Sequence, residues 1–388
     1  MSQEYLKPPY FESIRRPVDE AVTMNPAVYR TPEIHAAEAE RLWAKSWVCV
    51  GYTCQISGSG KVLTATVGGQ PVFVVRASDG QPRAFLNVCR HRGSILVEEG
   101  AECKSDRIRC PYHAWTYDLT GKLQHCPLFG DDGRHLPKED YGLLSVRVAT
   151  WGCFVFVSLD PKAMPLSDYL GDLPSRYAGF PLDELVLVRR KKYDIQANWK
   201  LLAENFLEYY HLPWVHPELT TVTAIEMHKR NQGAGMYMSF YASPLLRGGT
   251  PVDADFLPPM PGLSEVEATS GYFPLVFPNV AMFLMPHHLF SLLMFPTSEG
   301  RTEEYGDILV HPSVLSEPGI EEKLQAILAF YDMVNIQDIA AVEKVQKGIQ
   351  ARAYAGGRMI QRFEEPVHRF QNMVADYFIG QPCVPRGD

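Results

Sequence analysis

The spacing of apolar and polar positions changes character along the chain. Near the start, Thr31-Pro32-Glu33 supplies a cap residue, a Pro at the first helical position and an acid in the first turn, which predicts a helix to about Trp47. From Lys61 to Leu159 short β-branched and aromatic runs take over: VLTATV, PVFVV, AFLNV, RIRC, AWTYDL and FVFVSL. Gly68-Gly69, Asp79-Gly80 and Thr120-Gly121 separate them as turns, so this stretch predicts a small all-β domain. Residues 161–181 are Pro-rich and read as a linker. Beyond Tyr193, residues 198–212 (NWKLLAENFLEYYHL) have a helical period that should stop at Pro213. Residues 228–270, rich in Gly and Pro, read as long loops. YFPLVF, NVAMFLM, HLFSLLMF and EYGDILVH read as strands, followed by a long helix from Pro318 to about Ala355 and a last one over 365–378. The expected organisation is α+β: a helical segment over 1–45, an all-β domain over 46–160, and an α+β domain over 161–388 with an antiparallel sheet and helices.

Composition narrows the function classes. The 388 residues are 46% hydrophobic and 21% charged, an ordinary globular balance. The net charge is −8 and the longest basic run is Arg189 to Lys192, which argues against nucleic acid or an anionic membrane surface as partner. No apolar run approaches the roughly 18 residues of a membrane span. The first residues, MSQEYLKPPYFESIRRP, lack the apolar region of a signal peptide. Eight Cys are too sparse for a disulfide scaffold, so a reducing, cytoplasmic setting is expected, with clustered Cys read first as ligands.

One cluster stands out. Cys89-x-His91 (NVCRHRGS) and Cys110-x-x-His113 (RCPYHAWTYDLTG) each place a thiolate beside an imidazole, with 18 residues between His91 and Cys110. Two Cys and two His can hold one Zn²⁺. They can also hold a [2Fe–2S] cluster with Cys on one iron and His on the other, the Rieske arrangement. A zinc finger pairs like with like on a hairpin and a helix, whereas both arms here are mixed and lie in β structure; this favours the cluster. Pro111 and Gly93 suit tight ligand loops, and Trp115 and Tyr117 could shield the centre. Cys103, Cys126 and Cys153 read as structural cysteines, and His125 and His135 as surface groups.

A second constellation is AENFLEYYHLPWVHPEL. Glu204, Glu208 and His211 are spaced i, i+4, i+7 and would share one helix face, with Pro213 turning the chain so that His216 returns toward His211. Two imidazoles and a carboxylate describe the facial triad of non-haem Fe(II) oxygenases. Acids on such a helix can also be plain half-buried partners of Arg. The third ligand has two candidates by spacing, Asp338 and Asp332, of which Asp338 lies between apolar neighbours where a carboxylate would want a cation.

Together these residues resemble the catalytic α subunits of Rieske non-haem iron ring-hydroxylating oxygenases, over about residues 40–380. The resemblance implies that Cys89, His91, Cys110 and His113 hold the [2Fe–2S] cluster. It implies that His211, His216 and Asp338 hold Fe(II), since the family's Asp-x₄-Glu pattern fits Asp338 and Glu343 rather than Asp332. It further implies O₂ as cosubstrate, and that Glu208, with Glu204 and Asn205 nearby, belongs to the catalytic machinery. Glu208 would bridge to a cluster His of the neighbouring subunit of a homotrimer, its second oxygen being free for that imidazole. The one-residue-shorter spacing from Asn205 to His211, and Glu in place of the usual Asp at 208, look like the glycine betaine, stachydrine and carnitine oxygenase group. That group implies monooxygenation of a small molecule by C–H hydroxylation or oxidative N- or O-demethylation. Ring cis-dihydroxylation and non-catalytic electron transfer are the alternatives. With no G-x-G-x-x-G, NAD(P)H would be oxidised by a separate reductase carrying flavin and a ferredoxin-type [2Fe–2S] centre. Tyr272, Phe273, Phe277, Met282, Phe283, Met285, Leu292, Met294 and Phe295 are the candidate pocket set. As a set they predict an apolar pocket, able to cage a quaternary ammonium or a neutral aromatic.

Overall fold

The computed structural model describes residues 4–130, 135–246 and 257–387. It divides into two compact units, Trp43–Met164 and a second made of Met1–Leu42 with Pro165–Asp388. The N-terminal residues are therefore part of the second unit rather than a segment of their own. Arg15 pairs with Asp376, Thr23 N–H donates to the Gly357 carbonyl, and Lys200 and the Trp199 indole both meet the buried Glu38.

The first unit is all-β, as the alternation predicts. Its six-stranded antiparallel sheet runs in the spatial order Val48–Tyr52, Phe154–Ser158, Ser145–Trp151, Pro82–Leu86, Gln70–Arg76, Val62–Val67. A separate three-stranded sheet is made of Arg107–Arg109, Thr116–Asp118 and Leu123–His125. Phe73, Val75, Phe85, Ile108, Trp115 and Tyr117 pack in one core with Cys89 and Cys110. The helical stretch expected to reach about Trp47 ends slightly earlier, as Pro32–Glu38 followed by a wide turn over Ala39–Trp43, and the strand Val48–Tyr52 follows it.

The second unit is α+β. Seven antiparallel strands run in the order Val186–Ile195, Arg301–Val310, Leu289–Ser298, Val280–Leu284, Gly271–Val276, Tyr237–Ala242, His228–Arg230. Three helices pack with it: Trp199–Leu207 (the site helix), Ile320–Gly348 (the long helix) and Gln361–Phe378 (the C-terminal helix). Two expectations are corrected. Residues 161–181 are not a linker: Leu166–Leu170 and Leu173–Arg176 are short helices whose Leu166, Tyr169, Leu170 and Leu173 are buried. The 228–270 stretch is not all loop, because 228–230 and 237–242 are strands; residues 247–256 lie outside the described residues. Glycine and proline flank those strands without entering them, so composition over the window hid them. No helix among the described residues is long and apolar enough to cross a membrane.

Candidate active site

In the first unit the two Cys–His arms have the same local geometry. Asn87 clamps the first: its amide oxygen accepts the N–H groups of Leu96 and Val97 at 3.0 and 3.1 Å, and its Nδ2 donates to the Val97 carbonyl at 2.7 Å. Gly93 N–H then closes onto the Cys89 carbonyl at 3.0 Å. The second arm is the tip of the hairpin between Arg107–Arg109 and Thr116–Asp118, where Ala114 N–H closes onto the Cys110 carbonyl at 3.1 Å. Both closing residues have positive φ, +74° at Gly93 and +56° at Ala114, so each loop curls back on its cysteine. Both sulfurs are buried, while His91 and His113 are exposed with ring centroids 4.7 Å apart. His91 stacks on Trp115, and the Tyr117 hydroxyl lies 3.5 Å from Cys89 Sγ. Burial alone raises both thiols. At Cys110 the N–H groups of His113 and Tyr112 outweigh burial and hold the thiol below its usual range, whereas burial keeps Cys89 above its own. Two buried sulfur donors beside two exposed imidazoles fit the donor set that a two-iron cluster of the Rieske kind would need. Cys103, Cys126 and Cys153 are buried, and His125 and His135 are exposed; Cys103 and Cys126 share the core that holds Cys89 and Cys110.

The second constellation forms differently from its helical spacing. Asn198 caps the site helix by accepting Lys200 N–H at 3.0 Å. The helix ends at Leu207, because Glu208 is extended (φ −121°, ψ 152°). Glu204, Glu208 and His211 therefore do not share a helix face. Glu204 turns instead to the Tyr29 hydroxyl, which donates to it at 2.7 Å, and desolvation pushes its carboxyl up to about 7. It does not line the cavity described below, whereas Asn205 and Glu208 do. The Glu208 carboxylate organises the next turn: one oxygen accepts the N–H groups of Tyr210 and His211 at 2.5 and 3.1 Å, the other meets His211 Nδ1 at 2.5 Å. Its second oxygen is thus engaged rather than free. Pro213 does not stop a helix; it sits in the first turn of a short one, Leu212–Val215, with His211 and His216 as its two caps.

Those caps bring the imidazoles together, with ring centroids 5.2 Å apart. Each ring is held from behind, His211 Nδ1 by Glu208 and His216 Nδ1 by the Gln337 amide oxygen at 2.7 Å. Both Nε2 atoms face Asp338 Oδ1, at 3.5 and 2.8 Å. The three ligand atoms lie within 4.8 Å of one another, the spacing of donors around one ion. Nδ1 fixed and Nε2 presented is the arrangement that orients a metal-binding His. Burial opposes a charged His211, yet the bond from Glu208 prevails and holds its pKa above the ordinary value. Asp332 is elsewhere: six residues earlier on the helix turns it roughly 120° away. There it meets Arg189, Lys191 and Tyr193 at 2.7 to 2.9 Å. Glu343 accepts the Gln196 N–H at 3.0 Å and is not part of the triad.

A cavity opens beside the triad. Phe240, Phe273, Phe283 and Phe290 follow one another across four strands, with centroid separations of 4.9, 5.7 and 5.3 Å. Of the expected pocket set, Phe273, Phe283, Met285 and Leu292 line the cavity; Tyr272, Phe277, Met282, Met294 and Phe295 do not. The long helix contributes Tyr331, Val334, Asn335 and Asp338, one face at i, i+3, i+4, i+7. Sequence reasoning missed Tyr331, Asn335, Gln337, His228 and Glu304. The heptad spacing back from Asp338 was the available signal for the first two.

Residues 46–138 match the Rieske [2Fe-2S] domain, and residues 182–379, just over half the chain, match the ring hydroxylating alpha subunit (catalytic domain). The chain is 27% identical to the chloroplastic choline monooxygenase of Atriplex hortensis, covering 91% of this chain and 77% of that protein. It is 28% identical to the glycine betaine monooxygenase oxygenase subunit of Chromohalobacter salexigens (91% and 85% covered) and to the carnitine monooxygenase oxygenase subunit of Acinetobacter pittii (92% and 95%). In fold it resembles the quaternary ammonium Rieske monooxygenase CntA, with a TM-score of 0.80 at 24% identity over 97% of this chain and 99% of that one. It also resembles naphthalene 1,2-dioxygenase, with a TM-score of 0.78 at 23% identity over 95% of each. The chain belongs to the ring-hydroxylating oxygenase α-subunit family and is a terminal oxygenase with a Rieske [2Fe–2S] domain and a mononuclear non-haem iron catalytic domain.

Proposed function

We propose that this oxygenase monooxygenates a small quaternary ammonium compound at a carbon near the nitrogen. The observation that carries the reading is the cavity wall. Phe206, Phe240, Phe273, Phe283, Phe330 and Tyr331 surround a space with no Lys or Arg among its described lining residues. Aromatic faces without competing cations suit a charged ligand that has no N–H to donate. Choline, glycine betaine and carnitine, for which the relatives are named, all carry a trimethylammonium group.

In this reading Cys89, His91, Cys110 and His113 hold the cluster, and His211, His216 and Asp338 hold the iron. When bound, these groups supply O₂ activation with electrons relayed through the cluster. Two electrons and two protons accompany each O₂, one oxygen leaving as water and the other entering the C–H bond. Glu208 and Gln337 keep the two imidazoles aimed, and Asn205 lines the floor beside Glu208. Oxygen placed on an N-methyl carbon gives a hemiaminal, which separates into a dealkylated amine and formaldehyde.

A separate NAD(P)H reductase would feed the exposed edge of the cluster. Homotrimer assembly, with the cluster of one subunit serving the iron of the next, is supported by apolar surface beside each centre. Tyr112 (59% exposed) lies within the second cluster arm, and Trp214 (80%) lies between the iron-site imidazoles in sequence. Glu208 has three hydrogen bonds, leaving capacity for about one more from an incoming imidazole. Eight Cys in 388 residues, two of them in the cluster arms, suit a reducing, cytoplasmic setting. The test is turnover with a surrogate reductase of choline, glycine betaine, carnitine and neutral aromatics, scored by substrate-dependent aldehyde release and by diol formation. Aldehyde from a quaternary ammonium compound is expected. A cis-diol from an aromatic ring, with no quaternary ammonium compound turned over, would sink the reading.

A further inference from the structure

We infer that Glu304 is the anionic anchor for the substrate's ammonium group, which makes it the specificity-determining carboxylate of the cavity. This rests on the quaternary ammonium reading above and sharpens it to one residue. Glu303 and Glu304 are adjacent on the strand Arg301–Val310, so their side chains take opposite faces of the sheet. Glu303 goes outward, to Lys192 at 2.6 Å and to the Tyr305 hydroxyl. Glu304 goes inward. It pairs across the sheet with Met294, two residues from the cavity-lining Leu292, and it lines the cavity while only 1% exposed.

Three carboxylates line this cavity, and two of them are spoken for. Glu208 holds His211 and two backbone N–H groups, and Asp338 faces both triad imidazoles. Glu304 takes one hydrogen bond among the described residues, from Asn335 Nδ2 at 2.8 Å, and no Lys or Arg lines the cavity to offset its charge. A carboxylate buried in a wall of Phe, Leu and Met without a counter-charge is costly, and burial indeed pushes its pKa up to about 7. A neutral residue would pack there at less cost, and a cationic ligand removes the penalty by supplying the missing charge. A trimethylammonium group needs no hydrogen-bond acceptor. It needs one negative charge at van der Waals distance and aromatic faces elsewhere, and the cavity has both.

The test uses the iron-loaded holoenzyme and a matched pair of ligands: a quaternary ammonium compound that the wild type turns over, and its neutral isostere with carbon in place of nitrogen. Glu304→Gln keeps the shape and the bond from Asn335 but removes the charge. KM and the calorimetric Kd for the cation should rise at least about tenfold, with kcat changed far less and the neutral isostere unaffected. Glu304→Asp should keep the preference for the cation, which covers the case that the Gln variant does not fold. Equal losses for both ligands, or no change for either, overturn the anchor while leaving the quaternary ammonium reading intact. A wild type that binds no quaternary ammonium compound removes the reading itself.

Discussion

The two metal-binding regions are built on different plans. The cluster arms lie within 25 residues, from Cys89 to His113, and each is a loop closed on its own cysteine carbonyl. The proposed iron triad would draw two ligands from one turn and the third from a helix 122 residues later, and its shape depends on how that helix lies over the sheet. A local site tolerates change outside its loops. A site assembled over distance is exposed to every element that positions it.

The largest effect separates the plans outright. Cys89→Ala should remove the Rieske EPR signal and all turnover, whereas Asp338→Ala should remove turnover and bound iron while the Rieske signal persists. An iron-replete, active Asp338→Ala, with Asp332→Ala inactive, would overturn the ligand assignment. A smaller effect is expected from Glu208→Gln, at least about tenfold in turnover with both metals retained. Single-turnover kinetics should show a reduced cluster slow to reoxidise with substrate and O₂ present; unchanged reoxidation would remove the relay role. Smallest is Asp332→Asn, which should leave turnover alone and cost about 1 kcal/mol or less, since the pairing is partly exposed. Although desolvation opposes it, the contacts from Arg189, Lys191 and Tyr193 hold the folded-state carboxyl at about 2. Below its unfolded value, it contributes fully above about pH 4, and that contribution fades as pH falls toward 2. Denaturation of wild type and variant across that range should show the difference closing at the acid end.

The same contrast explains what could be read from the chain. The proposed cluster ligands could be picked out because short loops keep ligand spacing in the sequence. His211 and His216 could be picked out for the same reason: the turn that returns His216 toward His211 is present, while the helix face expected to carry Glu204, Glu208 and His211 together is not. An i, i+4, i+7 pattern predicted one helix, and the extended Glu208 ended it early by capping the next turn. Glu204 followed the pattern into the site on paper and into a contact with Tyr29 in the fold. Glu304 carried almost no signal, because adjacent glutamates on a strand look alike until the sheet has a buried face. The strand 237–242 was lost among neighbouring glycines and prolines, and the strand Val186–Ile195 because its Arg and Lys residues mask the alternation.

The C-terminal helix contains Pro366, which has no N–H to offer the carbonyl of Arg362 four residues back. That carbonyl accepts the Tyr209 hydroxyl at 2.9 Å, and Tyr209 is the residue between Glu208 and Tyr210 in the turn that aims His211. A stabilisation campaign would replace this proline first, on helix propensity alone. Such a change would let the helix reclaim its own carbonyl, and the tether on the catalytic turn would lose its acceptor. A gain on a melting curve and a loss of activity would then have one origin, in a residue that touches neither metal nor substrate.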